Sequence, residues 1–155
     1  MIVLDTSFLY AYLNKNDSKH GIALSVMDDI EEGKYGKPIL LDYVIEELLN
    51  LAINKQPFNY VKELSESVLQ LKGKYLFESV MKDLSVEEII SVFIKLNEGL
   101  NKKLSFTDCA IIMYMARHQG VEYLASFDEG FGRILDKVKD GIYSRSQRLR
   151  SLTSK

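Results

Sequence analysis

The chain predicts an α/β fold, a three-layer α/β/α sandwich around a mostly parallel central sheet. Short, wholly apolar runs at residues 1–4 and 38–41 read as strands buried on both faces. Longer segments with apolar residues three and four apart alternate with them and read as helices. Gly33, Gly36, Pro57 and Gly120 punctuate the boundaries. In open sheets of this kind, ligands gather at the carboxyl ends of the strands.

Taken in order, residues 1–4 form the first strand, and 6–14 a helix with Phe8, Leu9, Tyr12 and Leu13 on one side. A second helix over 20–32 places Ile22, Val26 and Ile30 four residues apart. The strand at 38–41 leads into a strongly apolar helix over 43–55, and Pro57 opens an amphipathic helix through Val61, Leu64, Val68 and Leu71. Residues 75–81 read as a strand, and Ser85-Val86-Glu87-Glu88 starts a helix over 85–96 as a capping box. A helix over 106–119, a strand over 122–126, a helix over 128–138 and a short strand at 142–143 complete the expected order.

With 155 residues, 46% hydrophobic and 27% charged, the chain fits one soluble domain. Residues 1–143 are expected to form it, and 144–155 a basic tail carrying Arg145, Arg148, Arg150 and Lys155 with no acid. That tail reads equally as a phosphate grip or as a frayed, soluble end. No apolar run approaches the ~18 residues of a membrane span. A single cysteine, Cys109, rules out an internal disulfide and a cysteine-built zinc site, and fits a reducing cytoplasm. The net charge of −2 argues against coating nucleic acid by electrostatics alone.

Four acids from distant stretches stand where a strand meets a helix or early in a helix: Asp5, Glu47, Asp108 and Asp128. Carboxylates gathered this way repel one another unless a hard divalent cation offsets the repulsion. Each has an ordinary reading as well. Asp5 and Asp128 suit N-caps, and Ser105-x-x-Asp108 suits a capping box. Asp108 nevertheless shares a face with Ile111, Ile112 and Met115, where an unpartnered carboxylate is expensive. Glu46 and Glu47 compete for one place: Glu47 borders the apolar stripe of its helix and Glu46 points nearer solvent, and simple surface exposure reads equally well for Glu47. Cys109 reads as a small packing residue.

Four stretches then resemble the PIN-domain ribonucleases, in particular small VapC-like toxins. They are Ile2-Val3-Leu4-Asp5-Thr6-Ser7-Phe8-Leu9, Asp42-Tyr43-Val44-Ile45-Glu46-Glu47-Leu48-Leu49, Ser105-Phe106-Thr107-Asp108 running on to Gly120, and Tyr123-Leu124-Ala125-Ser126-Phe127-Asp128. Their order and spacing span nearly the whole chain, although 57–103 adds nothing to the match. The resemblance implies a PIN-like sandwich and hydrolysis of RNA phosphodiesters with Mg²⁺ or Mn²⁺. It implies Asp5, Asp108 and Asp128 as metal ligands, Glu47 as the fourth catalytic acid, and Ser7 and Ser126 as supporting hydroxyls. It further implies an RNA substrate, an antitoxin protein as partner, a homodimer and a cytoplasmic location. Arg117 and the tail's Arg145, Arg148 and Arg150 are the expected RNA contacts; Lys15, Lys19, Lys55, Lys102, Lys103, Arg117 and Arg133 are scattered, and a solvated surface explains most of them. The competing account is a non-catalytic PIN-like scaffold or RNA-binding module. A phosphatase or receiver-type domain is disfavoured because Asp5-Thr6-Ser7 lacks the second aspartate of Asp-x-Asp.

Overall fold

A computed structural model describes residues 1–152, so Lys155 and the rest of the expected tail beyond that point lie outside the described residues. The elements run β1 (Ile2–Leu4), α1 (Thr6–Leu13), α2 (His20–Glu31), β2 (Pro38–Leu41), α3 (Asp42–Lys55), α4 (Phe58–Leu71) and β3 (Leu76–Glu78). They continue with α5 (Val86–Asn97), α6 (Phe106–Arg117), β4 (Tyr123–Ala125), β5 (Asp136–Lys139), β6 (Ile142–Ser144) and α7 (Gln147–Ser151). The expected strand at 75–81 is shortened to β3 and followed by a 3-10 turn, Val80–Lys82, held by the Val80 amide on Asp42 Oδ1 at 3.1 Å.

One six-stranded sheet has the order β3-β2-β1-β4-β6-β5. The pairs β2–β3, β1–β2 and β1–β4 are parallel, and β4–β6 and β6–β5 antiparallel. Ile2, Val3 and Leu4 are all fully buried, as are Ile39, Leu40 and Leu41 to within 1%. Successive strand residues point to opposite faces, so both faces of the sheet are covered and the sandwich has three layers. Packed among α3, α5 and α7, α6 is almost completely enclosed: every residue from Asp108 to Ala116 is buried. A helix apolar on nearly all sides belongs inside the molecule, and its one carboxylate is Asp108. No helix among the described residues is long and apolar enough to cross a membrane.

The structure corrects the reading of 128–138 as a helix. Only a 3-10 turn, Glu129–Arg133, follows Asp128, and the chain then enters strand β5. Asp140-Gly141 joins β5 to β6, with Gly141 at φ +81°. A two-residue Asp-Gly turn between strands is a strong hairpin signal. Β-strand β5 escapes an apolar-run search because it is an exposed edge with the sequence Asp-Lys-Val-Lys.

The described part of the basic tail is docked on the domain. Leu149 is fully buried. Arg145 donates to the carbonyls of Met115, His118 (3.3 Å) and Val121 (3.2 Å), and so satisfies the carboxyl end of α6 and the turn after it. Arg148 donates to the carbonyls of Gly132 and Leu135 and to Asp136 at 2.8 Å. Replacing Arg145 with Ala is therefore expected to destabilise the fold by about 2 kcal/mol, lowering the melting temperature by roughly 4–8 °C. Calorimetry checks it; an unchanged melting point would leave Arg145 without this structural role.

Candidate active site

Asp5 lies at the carboxyl end of β1, and its Oδ2 accepts from the Ser7 hydroxyl (2.6 Å), the Ser126 hydroxyl (2.7 Å) and, longer, the Ser7 amide (3.4 Å). β4 runs beside β1 with Leu4 opposite Ala125, which brings Ser126 to Asp5 across 121 residues of sequence. The Ser7 and Ser126 hydroxyls stand 3.2 Å apart and accept the amides of Phe127 and Asp128, each at 3.0 Å. These two serines lock the end of β4 onto the start of α1.

Asp128 turns Oδ1 onto the amide of Gly130 at 2.7 Å and onto the ammonium of Lys102 at 3.1 Å. A Cβ on Gly130 would meet that same oxygen at 3.0 Å, so the close approach uses the missing side chain. Asp108 closes a capping box: its Oδ2 accepts the Ser105 amide at 2.7 Å, and Ser105 Oγ accepts the Asp108 amide at 3.0 Å. On α3, the half-buried Glu47 accepts from Thr6 Oγ1 at 2.5 Å, whereas Glu46 is exposed. Cap and site are thus not alternatives. Asp5, Asp108 and Asp128 each satisfy amides at a helical start, whose positive end favours an anion, while lining one open cleft.

That cleft has a volume of about 580 Å³, and Asp5, Ser7, Glu47, Asp108 and Asp128 line it together with Lys19 and Lys55. The acids feel one another. Burial first, then the charge of Asp5 and finally that of Asp128 push the Asp108 carboxyl up to about 7, against the bonds from Ser105. Burial also pushes the Asp5 carboxyl up and Glu47 adds to the shift, opposed by the hydroxyls of Ser7 and Ser126. Cys109 lies buried behind Asp108, its thiol pushed up to about 12 by burial and by Asp108, which suits a packing residue.

As the side chains lie, no three Asp, Glu, His or Cys residues among the described ones converge tightly enough to enclose an ion. Asp5 Oδ2 is turned toward hydroxyls and Asp128 Oδ1 toward an amide and Lys102. The donor chemistry nevertheless fits a hard divalent cation: oxygen ligands only, carrying like charges whose repulsion an ion would offset.

The expected arginines are not brought to this cleft. Arg117 ends α6 and pairs with Glu88. Arg145 sits at the same end of α6, whereas Asp108 opens that helix; seven residues of helical rise, roughly 10 Å, separate Asp108 from Met115. Arg148 is bound to the turn after Asp128 and to Asp136. Arg150 on α7 is likewise absent from the cleft lining. The cations that do approach the acids are Lys19, Lys55 and Lys102, scattered in sequence and gathered only by the fold. Thr6, which orients Glu47, was also missed; its position between Asp5 and Ser7 is the one available signal.

The PIN domain model matches residues 2–137. The crystal structure of Mycobacterium tuberculosis VapC20, a sarcin-ricin loop cleaving toxin, superposes with a TM-score of 0.67 at 20% sequence identity, covering 86% of this chain and 94% of that one. No curated protein matches the sequence closely enough to compare. With four acids delivered to one end of this sheet and a family match over nearly its full length, the chain belongs to the PIN domain family.

Proposed function

We propose that this protein is a metal-dependent endoribonuclease, acting as the toxin of a VapBC-type pair. The observation that supports it most is the convergence of Asp5, Glu47, Asp108 and Asp128, from four separate stretches, on one cleft. In this reading Asp5, Asp108 and Asp128 hold Mg²⁺ or Mn²⁺ and Glu47 completes the acidic set. When bound, such an ion supplies Lewis-acid polarisation of a phosphodiester. Ser7 and Ser126 hold Asp5, the capping box holds Asp108 and Thr6 holds Glu47, so each acid is kept at the cleft, and an ion would draw their oxygens together. Lys19 and Lys55 offer cations to the phosphates on the cleft wall, and Lys102 moves from Asp128 to a substrate oxygen. The VapC20 likeness supports RNA as the substrate class and an antitoxin as partner; the homodimer and the cytoplasmic site of action are part of this proposal and rest on the family resemblance alone.

Lys102 on Asp128 and the hydroxyls on Asp5 favour a second reading, a non-catalytic RNA-binding scaffold whose acids are satisfied by the protein itself. Single-turnover cleavage of single-stranded RNA separates the two. The enzyme reading expects cutting with Mn²⁺ or Mg²⁺ that EDTA abolishes and metal restores; no cutting with either ion sinks it. Lys102→Ala is expected to raise KM by about fivefold, matching the ~1 kcal/mol of one solvent-exposed charge pair. An unaltered KM removes Lys102 from the substrate path.

A further inference from the structure

Beside the acidic cleft lies a second recess, of about 370 Å³, lined by Tyr43, Glu46, Glu47, Asn50, Phe106 and Thr107. It follows from two local facts. Positions 43, 46, 47 and 50 are i, i+3, i+4 and i+7, so they share one face of α3. Phe106 and Thr107 open α6 directly before Asp108, and α3 packs on α6. Glu47 lines both cavities, so the recess adjoins the cleft.

The rings form an ordered set. Tyr43 and Phe106 lie 5.9 Å apart at 37°, Phe106 and Phe93 lie 6.2 Å apart at 57°, and the Tyr43 hydroxyl is tied to Met81 Sδ at 3.1 Å. Tyr43 and Phe106 are only half-buried, so part of each ring faces the recess. Both cavities are acidic, but only the cleft has cations among its acids. Lys19 and Lys55 line the cleft, whereas no lysine or arginine lines the recess, whose charged groups are Glu46 and Glu47. A phosphate is repelled there, and an uncharged flat ring is not.

We propose that this recess is a nucleobase subsite, in which a base flanking the scissile phosphate stacks on Tyr43 and Phe106 and presents an exocyclic amino group to Glu46. The assignment rests on the cleft being an RNA phosphate site. Stacking on aromatic side chains is the general way single strands are held, because every base has a π-face. The rim sets the preference. A carboxylate only accepts hydrogen bonds, so Glu46 matches the amino groups of adenine, cytosine and guanine and opposes the carbonyl edge of uracil. Asn50 and Thr107 add donors and acceptors beside it.

The test uses the absence of tryptophan from the chain. Phe106→Trp introduces one fluorophore at the recess. In EDTA, so that no strand is cut, hexamers of A, C and U are titrated against this variant. Quenching by A and C is expected, with U at least fivefold weaker, and Glu46→Ala in the same background is expected to abolish that difference; the exposed Glu46 leaves the fold intact. In cleavage assays, Phe106→Leu is expected to raise KM by about five- to a hundredfold with kcat within twofold. Two failures read differently. If the wild type cuts no RNA yet emission is quenched in this order, the nuclease reading falls and the subsite stands. If the wild type cuts RNA, but emission ignores every hexamer and the KM of Phe106→Leu equals that of the wild type, the subsite is overturned.

Discussion

Replacing Asp108 with Asn is expected to lower RNA cleavage at least a hundredfold while making the metal-free protein more stable. The loss follows from removing one carboxylate of an oxygen ligand set, since even supporting partners of such ligands are worth 10–100-fold. The gain follows from burial. Asp108 is 6% exposed, and its carboxyl rises from 3.8 to about 7. A shift of that size corresponds to roughly 4 kcal/mol of strain in the ionised form. Asn keeps one acceptor for the Ser105 amide but weakens the capping box, which leaves a net gain of about 1–3 kcal/mol. The sign fixes the pH window. The raised value means that the folded protein binds more protons than the unfolded chain between about pH 4 and 7, so wild-type stability falls as pH rises through that interval. The variant loses the part of this dependence that Asp108 contributes and keeps that of Asp5, whose carboxyl burial also pushes up. In EDTA its advantage should be greatest at pH 8 and nearly gone at pH 4.5, as measured by calorimetry. A constant advantage across that range would refute the electrostatic cause, and undiminished cleavage would remove Asp108 from the chemistry.

The second large effect is metal binding read as stability. Mn²⁺ at a hundred times its dissociation constant stabilises the folded state by about 2.7 kcal/mol, which for a chain of this length raises the melting temperature by roughly 5–10 °C. Asp5→Asn and Asp128→Asn should each abolish most of that rise. Should the wild type melt at one temperature with and without millimolar Mn²⁺, the acids do not form an ion site and the scaffold reading takes over.

The sandwich was legible because β1 and β2 are apolar on both faces, a pattern that demands helices above and below. Asp5 and Asp128 were legible as strand-end residues, and Asp108 because its neighbours on α6 are apolar. The hairpin β5–β6 was hidden by its exposed edge strand, although Asp140-Gly141 stood in plain view. The cationic side of the cleft was illegible for a deeper reason. Lys19, Lys55 and Lys102 lie on three segments with no shared periodicity, so only tertiary packing assembles them. Conversely, the arginines 145 and 148 looked like a free basic cluster, because the carbonyls that occupy them come from the turns after α6 and Asp128. A composition count weighs charge and says nothing of which backbone oxygens lie nearby.

The place of β4 in the sheet has a consequence for biosynthesis. β1 is made well before its sheet neighbour β4, and Ser126 and Asp128 follow β4 directly. Domains are synthesised from the N-terminus at about 5–20 residues per second. At that rate Asp5 waits roughly 6–24 s for Ser126, which lies 121 residues later. The hydroxyl that holds Asp5 from the end of β4, and the acid two residues beyond it, therefore join the site only once that stretch has been made.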